Sequence, residues 1–497
     1  MKKTFAFLLA MIMVFAVCGC RDTVEENSVL SWYEDGDSKG SKTNNSARTD
    51  SSSNSGTSGQ GESKGNQNIT DPLSANLKGA TITIYSTGGN FSPKASESKT
   101  NKVAADNLKK LQSKLNCKLD VKDTTPEKLK GSVTTSAAAG KALCQIIDPT
   151  LYTSGYYIAS GLVTDLSKVS SMDMSKDYMR RFGVADAMRF GNGTYAVCTE
   201  GYDRVYMVAF NKRILKEMGY AEDYIYKLVD AGNWTIDEYN KLSKAAVKDL
   251  DGKPGMSDAD QYGQVMIDHE TGISAALFAN VGTSMIKIDS NGKLTYNMND
   301  PLIVNTVTSI GEIARNGSRY LNDEWRSRVA FFASGKALFM WAPITNIPSI
   351  VNMKDDYGLV PSPKVSGSKD YTTAIDLNCR VLMVPAGLSA KDQANAGAFI
   401  QAYEYLFGDV IKANQSEYGN RYLRDTESLK FLKMASEQLK TDPSAAYGWY
   451  SEDILTGTYR VVWNYLNDSL KTPMAAAIES GKNAVMAALN DINKLAK

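Results

Sequence analysis

The sequence predicts an α/β fold that opens with a parallel sheet. Residues 81–85 alternate threonine with isoleucine, which indicates a strand. Apolar residues then recur at helical spacing over residues 104–115, and residues 118–122 form a second strand-like run. A strand, a crossover helix and a second strand make a parallel, right-handed pair. The first folded segment is therefore expected to be an α/β unit.

The same alternation of strands and helices continues along the chain. Thr235 with Glu238, and Ser389 with Asp392, are predicted helix caps. Further strands are predicted at residues 145–147, 195–198, 205–210, 338–341, 357–360, 371–375 and 380–385. Further helices are predicted at residues 128–140, 214–218, 235–250, 389–406 and 472–492.

The first 20 residues have the composition of a secretion leader. Lys2 and Lys3 precede an unbroken apolar run over residues 5–17, which is too short to span a bilayer. The sequence Val-Cys-Gly-Cys at residues 17–20 resembles a bacterial lipobox, although Cys18 stands where a small residue is usual. We expect residues 1–19 to be a lipoprotein signal peptide and Cys20 to carry lipid. The alternative is a cleaved signal that releases the chain.

Residues 20–72 are expected to form a disordered tether. The segment is rich in serine, glycine and asparagine, so it has little apolar surface to offset the entropy of ordering. A flexible coil of this length reaches about 40 Å on average. Such a tether lets a folded part clear the membrane surface and reorient.

The composition of the remaining chain excludes several classes of protein. Hydrophobic residues make up 43% of the chain, enough for a sizeable core, and a net charge of +1 gives no reason to expect nucleic acid. Beyond Cys20 the cysteines are Cys117, Cys144, Cys198 and Cys379. Their wide spacing predicts no metal site, and the sequence predicts no cofactor. Buried free thiols are the default expectation. The sequence allows one disulfide outside the cell, but it does not assign the two cysteines that would form it.

The titratable residues show no catalytic or calcium-binding pattern. His269 is the single histidine, which excludes the common zinc spacings and leaves one candidate general base. Asp249, Asp251, Asp258 and Asp260 are close in sequence but lack the closing glutamate of an EF-hand loop. We interpret these aspartates as a solvated loop.

Several stretches together resemble one known family, the extracellular solute-binding proteins of ABC importers, in particular the carbohydrate-binding group. Each stretch is weak alone, but their order and spacing are specific, and the likeness runs from about Ala80 to about Tyr405. The stretches are residues 137–140, 159–167, 193–197, 210–219, 234–238, 335–340 and 357–363. Residues 143–147 depart from the family pattern, which usually has a proline–aspartate pair there.

The resemblance implies a fold like that of type II periplasmic binding proteins. This is an α/β fold with two discontinuous lobes and a ligand cleft between them. We expect lobe 1 to comprise residues 73–202 and 356–387, and lobe 2 residues 203–355 and 388–497. The crossings between lobes are expected near residues 200–203, 355–357 and 386–389. Pockets commonly lie at domain interfaces and beyond the carboxyl ends of parallel strands.

Ligand contacts are expected where aromatic rings and polar groups meet such a cleft. A sugar offers C–H faces for a ring and hydroxyl groups for fixed polar partners. Trp341 is the first candidate ring, with core packing as the alternative. Trp449 and Trp463 either line the cleft or pack in the core, and core packing is favoured. The other candidates follow strands or lie at crossings: Tyr85, Asn90, Asp148, Tyr152, Tyr156, Glu200, Tyr202, Asp203, Asp376 and Asn378.

The resemblance implies a binding protein rather than an enzyme. We expect a monomer, lipid-anchored at the extracellular face of the cell membrane. It would capture a small-molecule carbohydrate, such as an oligosaccharide, by hinge closure and deliver it to an ABC permease. Two alternatives remain at this stage. One is a surface glycan-degrading enzyme that uses two carboxylates. The other is a receptor or adhesin for another polar solute such as a peptide.

Overall fold

The computed structural model describes residues 71–496, apart from 199, 201–203, 267–276, 323, 366–367, 468–469 and 471. The predicted leader, Cys20, most of the predicted tether and His269 lie outside the described residues. The strands are β1 (Ala80–Ser86), β2 (Cys117–Asp123), β3 (Ile146–Asp148), β4 (Arg189–Phe190), β5 (Gly193–Thr194), β6 (Val197–Cys198), β7 (Tyr206–Asn211), β8 (Tyr262–Met266), β9 (Ile286–Ile288), β10 (Leu294–Tyr296), β11 (Ala337–Pro343), β12 (Tyr357–Pro361), β13 (Thr373–Ala374), β14 (Val381–Leu382) and β15 (Leu439–Lys440).

The α-helices cover the connections and the carboxyl-terminal part of the chain. They are α1 (Lys99–Leu115), α2 (Pro126–Ala138), α3 (Leu151–Ala159), α4 (Val184–Ala187), α5 (Lys212–Glu217), α6 (Tyr224–Asp230), α7 (Ile236–Ala245), α8 (Pro301–Arg315), α9 (Trp325–Ala333), α10 (Ala390–Glu417), α11 (Thr426–Glu437), α12 (Pro443–Tyr447), α13 (Glu452–Gly457), α14 (Tyr459–Leu466) and α15 (Met474–Asn493). No helix in the described part of the chain combines the length and apolar character that a bilayer span requires.

The first sheet confirms the predicted opening α/β unit. Its order is β2-β1-β3, and both pairings are parallel, with Ile84 opposite Ile146. Ile82 and Ile84 are buried in β1, whereas Thr81 is exposed, so the alternation in the sequence matches the two faces of the strand. Two short antiparallel segments extend this edge: Met383 bridges Ile147, and β14 pairs with β6.

The second sheet is buried on both faces. Its order is β12-β7-β11-β8; β7 runs antiparallel to β11 and β12, and β8 runs parallel to β11. Every residue of β7 and β11 is buried. A strand covered on both sides appears in the sequence as a continuous apolar run, which is the pattern of residues 205–210 and 338–341.

Side-chain caps begin the helices at the predicted residues. The Thr235 hydroxyl accepts a hydrogen bond from the backbone N–H of Glu238 at 3.3 Å, and the Ser389 hydroxyl accepts one from Asp392 at 3.1 Å. These bonds satisfy N–H groups that have no partner within the helix, so they fix where α7 and α10 begin.

Two segments pack differently from the predicted division into lobes. Strand β12 pairs with β7 in the second sheet, whereas residues 356–387 are predicted in lobe 1. Helix α10 packs along α1 of the first unit, whereas residues 388–497 are predicted in lobe 2. Asn107 of α1 donates to the carbonyl of Leu406 at 3.0 Å. Both segments adjoin a crossing, where sequence distance says little about packing. We retain the two lobes and propose new limits: β12 belongs with lobe 2 and α10 with lobe 1.

Candidate functional site

The carboxyl ends of β1 and β3 meet at one edge of the first sheet. Asp148 ends β3 and is fully buried, and it accepts a hydrogen bond from the hydroxyl of Ser86 at 2.7 Å. The backbone carbonyl of Asp148 accepts two more bonds from Thr87, from its N–H at 3.2 Å and its hydroxyl at 2.8 Å. Asp148 therefore holds the loop that follows β1 in place. This is a positioning role, and the burial of Asp148 leaves no exposed carboxylate for a ligand in this conformation.

Glu200 and Arg380 connect two chain segments at the same edge. The carboxylate of Glu200 accepts from the backbone N–H of Arg380 at 3.1 Å and from its guanidinium at 3.2 Å. The same guanidinium donates to the carbonyl of Thr87 at 3.2 Å. Arg204 forms a second ion pair with Glu200 at 3.3 Å. Two cations thus balance one nearly buried carboxylate, which makes its burial tolerable.

Gly88 allows the arginine to approach the loop closely. A Cβ atom at this position would lie 2.5 Å from the Nε atom of Arg380. Any larger residue would displace the guanidinium from Thr87 and Glu200. The glycine therefore leaves the space that the arginine side chain occupies, whereas the sequence shows only that a loop is present there.

A cavity of about 390 Å³ opens beside this loop, between α1 and α10. Its polar lining includes Asn90, Glu200 and Asn107, and its apolar lining includes Phe407 and Leu406. The Nδ2 atom of Asn90 is buried without a hydrogen-bond partner among the described residues. A buried amide donor normally has a partner, so this group is available to an acceptor on a ligand. The cavity brings together two predicted site residues, Asn90 and Glu200.

Tyr403 of α10 contributes a phenol to the cavity. Burial raises the pKa of this phenol well above its ordinary value. The carboxylate of Glu404 raises it further, and so do those of Asp148 and Glu200. The hydroxyl therefore keeps its proton at physiological pH and can donate a hydrogen bond. The sequence pattern does not mark Tyr403 as a site residue, because Tyr403 lies on the apolar face of a helix.

A second group of aromatic residues follows β3. The ring of Tyr152 in α3 lies 5.7 Å from that of Trp449, measured between centroids, and Trp449 lies 5.5 Å from the buried Tyr459. Trp449 is 41% exposed. The favoured prediction of core packing is therefore wrong for Trp449. An indole supported by two rings and open on part of its surface is suited to stacking on an apolar face of a ligand.

Trp341, the first candidate ring, lies in the core. It has no exposed surface, and its indole N–H donates to the hydroxyl of Ser362 at 3.0 Å. Its ring lies 5.2 Å from that of Tyr239. The alternative of core packing fits this environment, because β11 continues to Pro343 inside a sheet that is covered on both faces. This conformation leaves no ring face free for a ligand.

The other predicted residues occupy varied environments near the edge. Tyr85 is half-buried at the end of β1. The Tyr156 hydroxyl lies 3.1 Å from that of Thr134. Asp376 is buried and accepts from the N–H of Asn378 at 2.7 Å, whereas Asn378 is itself exposed. Tyr202 and Asp203 lie outside the described residues.

The aspartate-rich loop forms a compact cluster. Oxygen atoms of Asp249, Asp251 and Asp260 lie within 4.8 Å of one another. The carboxylate of Asp260 accepts backbone bonds from Leu250 and Ser257, both at 2.7 Å. These bonds lower the pKa of Asp260, and they explain the cluster as a loop held by its own backbone.

Two α/β sheets, joined by chain segments that cross between them and bordered by a polar edge, define the class of two-lobed solute-binding proteins. The chain belongs to the family of bacterial extracellular solute-binding proteins, whose profile matches residues 107–421. Comparison with curated protein sequences gives no match. The family match confirms the resemblance found in the sequence.

Solved structures of the same class share the fold. A maltose/maltodextrin-binding domain from Bdellovibrio bacteriovorus is 16% identical, with a TM-score of 0.52 over 82% of this chain and 100% of that one. A cyclic α-maltosyl-1,6-maltose-binding protein from Arthrobacter globiformis is 12% identical, with a TM-score of 0.57 over 83% and 100%. An ABC substrate-binding protein from Listeria monocytogenes, in complex with cycloalternan, is 14% identical, with a TM-score of 0.52 over 83% and 99%. The predicted type II fold, with two discontinuous lobes and a cleft between them, is confirmed.

Proposed function

We propose that this protein captures an oligosaccharide at the carboxyl edge of its first sheet. Two features that follow strands of this sheet carry the proposal: a polar cavity and an exposed aromatic platform. The cavity offers the unpartnered amide of Asn90 and the phenol of Tyr403, and the platform is Trp449 supported by Tyr152. Sugars need both kinds of surface, since their hydroxyls and C–H faces point in different directions.

The structural neighbours support a carbohydrate as the class of ligand. Those proteins are described with maltotriose, cycloalternan and cyclic maltosyl-maltose. Another neighbour carries mannotriose. Because these proteins are 12–16% identical to this chain, they share its fold but do not identify its sugar. We therefore extend to this protein the class of oligosaccharides and no particular sugar.

Capture would proceed by closure of the lobes about the crossing segments. Two bonds join these segments: the N–H of Asp376 donates to the carbonyl of Arg204 at 3.0 Å, and the N–H of Arg380 donates to the carboxylate of Glu200 at 3.1 Å. With α10 in lobe 1 the cavity lies within that lobe, so a ligand that also reaches Trp449, in the segment kept for lobe 2, would favour the closed arrangement over the open one. No bond in the ligand needs to change, so the protein acts as a carrier and not as an enzyme.

The membrane context completes the proposal. Lipid at Cys20 would hold the protein at the extracellular face of the cell membrane, and the segment to residue 72 would give it reach. The closed monomer would then deliver its sugar to an ABC permease. Cys20→Ser should release the protein from membranes after cell fractionation. A variant that stays anchored would refute the lipid attachment.

A thermal-shift screen against linear and cyclic oligosaccharides tests the carrier function. A sugar that binds only the folded protein raises the melting temperature. We expect at least one gluco- or manno-oligosaccharide to do so and to be recovered intact after incubation. Recovery of shortened sugars would support the alternative of a glycan-degrading enzyme. Stabilisation by peptides alone would support the alternative of a peptide receptor.

A further inference from the structure

Two buried cysteines meet at the crossing between chain segments. The sulfur atoms of Cys198 and Cys379 lie 3.6 Å apart, although the residues are 181 positions apart in the chain. Cys198 is 2% exposed and Cys379 is fully buried. Cys198 ends β6, and Cys379 lies two residues before β14, the antiparallel partner of β6. The fold thus places two thiols in van der Waals contact at a fixed position.

We propose that Cys198 and Cys379 form a structural disulfide in the extracellular protein. A disulfide bond is about 2.05 Å long, so the two sulfurs must approach by roughly 1.5 Å for the bond to form. The proposal rests on the extracellular location of the family, where disulfides persist. It does not depend on the identity of the ligand.

The other two cysteines of the folded part provide a comparison. The thiol of Cys144 donates to the carbonyl of Ile146 at 3.1 Å, and Cys117 lies at the start of β2. Cys144 and Cys117 belong to separate hydrophobic clusters. Among the described residues, Cys198 and Cys379 are the pair for which a sulfur–sulfur contact is observed.

The bond would form by thiol–disulfide exchange with an extracellular oxidoreductase of the disulfide-donor class. The thiolate of one cysteine attacks the donor disulfide and gives a mixed disulfide, and the second thiolate then displaces the donor. Two electrons pass to the donor, and the two thiol protons end on its released dithiol. Because burial raises the pKa of Cys379 and hides both sulfurs, exchange must occur before folding is complete.

The link would fasten the segments that carry the charged pair of the site. Cys198 is two residues before Glu200, its thiol donates to the Glu200 carbonyl, and Cys379 adjoins Arg380. A crosslink here would hold the carboxylate and the guanidinium in register during lobe movement. It would also close a long loop of chain, and in the chain-entropy model long loops are stabilised most.

Peptide mapping tests the bond directly. Protein secreted through its own leader would be alkylated, digested with trypsin without reductant and analysed by mass spectrometry. The sequence predicts that residues 190–204 and 370–380 form the two relevant peptides. We expect them as one linked species that separates on reduction, with Cys117 and Cys144 alkylated. Recovery of both peptides separately, each with an alkylated cysteine, would overturn the proposal.

Melting temperatures give an independent readout. Unfolding in the presence of reductant should lower the melting temperature of the wild-type protein by about 5 °C. The matched control C117A/C144A, which also loses two buried thiols, should show the same fall, whereas C198A/C379A should show none. A wild-type melting temperature that does not respond to reductant would contradict the bond. Sugar binding is measured separately, so failure of the disulfide leaves the carrier function testable.

Discussion

Glu200 accepts hydrogen bonds from both the backbone N–H and the guanidinium of Arg380, a residue 180 positions away. The guanidinium also reaches the carbonyl of Thr87, so a single side chain ties the first loop of the sheet to two crossing segments. Movement of the lobes must preserve or break this arrangement. The pair is therefore the natural place to probe both stability and closure.

Replacing Arg380 with alanine should destabilise the protein by about 1–3 kcal/mol, because it leaves the nearly buried carboxylate of Glu200 with Arg204 as its remaining cation. Urea unfolding measures the change. The stability of Arg380→Lys should lie between that of the wild type and that of Arg380→Ala, since lysine keeps the charge and loses the forked geometry. Arg326→Ala is the control, because its ion pair with Glu324 is exposed and should matter little. Equal stability of the two alanine variants would contradict this role.

Replacing Trp449 with alanine should weaken oligosaccharide binding at least tenfold, about 1.4 kcal/mol, because it removes the exposed ring of the platform. Isothermal titration calorimetry measures the affinity. Tyr405→Ala is the matched control: Tyr405 is 48% exposed, and its ring packs against Tyr178 instead of Tyr152. Unchanged affinity in the Trp449 variant would remove this ring from the site.

Replacing Trp341 with alanine should cost about 3–5 kcal/mol of stability, because it empties a fully buried volume and leaves Ser362 without its indole donor. Chemical denaturation checks this loss. Trp341→Phe should cost less, since it refills most of the space. Either of these two variants, if it remains folded, should bind sugar with wild-type affinity. A stable alanine variant with impaired binding would restore Trp341 as a ligand contact.

The buried carboxyl of Glu404 should make stability depend on pH. Burial raises its pKa from the ordinary 4.5 to about 8, against the opposing effect of Arg181 at 3.1 Å. The folded protein then holds a proton that the unfolded chain releases. The stability that this bound proton contributes to the folded protein is therefore fully present below about pH 4.5 and is lost as pH rises towards about 8.

Glu404→Gln isolates this effect, because the amide resembles the protonated acid and does not titrate. As pH rises from 5 to 8, the unfolding free energy of the wild type should fall relative to that of the variant, by about 1 kcal/mol or more. Asp409→Asn, an exposed substitution on the same helix, should follow the wild type. Parallel pH profiles for Glu404→Gln and the wild type would show that the carboxyl is charged throughout this range.

Local patterns in the sequence predict most of the secondary structure. The alternation of residues 81–85 predicts β1, and the apolar runs predict β7 and β11, because each pattern reports which faces of a strand are buried. The side chains of Thr235 and Ser389 predict where helices begin because capping acts within three residues.

Contacts between distant segments are not visible in such patterns. The bond between Glu200 and Arg380 joins residues 180 positions apart, and Gly88 makes room for it. A tryptophan in an apolar run looks the same whether its strand is open on one face or covered on both, which explains why the sequence leaves both ligand contact and core packing open at Trp341. Trp449 lies in a tyrosine-rich segment that resembles core, yet packing leaves its ring partly exposed.

Small-angle X-ray scattering of the purified protein, with and without a saturating oligosaccharide from the thermal-shift screen, tests capture by lobe closure most directly. We expect a smaller radius of gyration with sugar, and no change when the same sugar is added to Trp449→Ala at a concentration well below the dissociation constant of that variant. An unchanged radius of gyration in the wild-type protein at full saturation would contradict closure around the ligand.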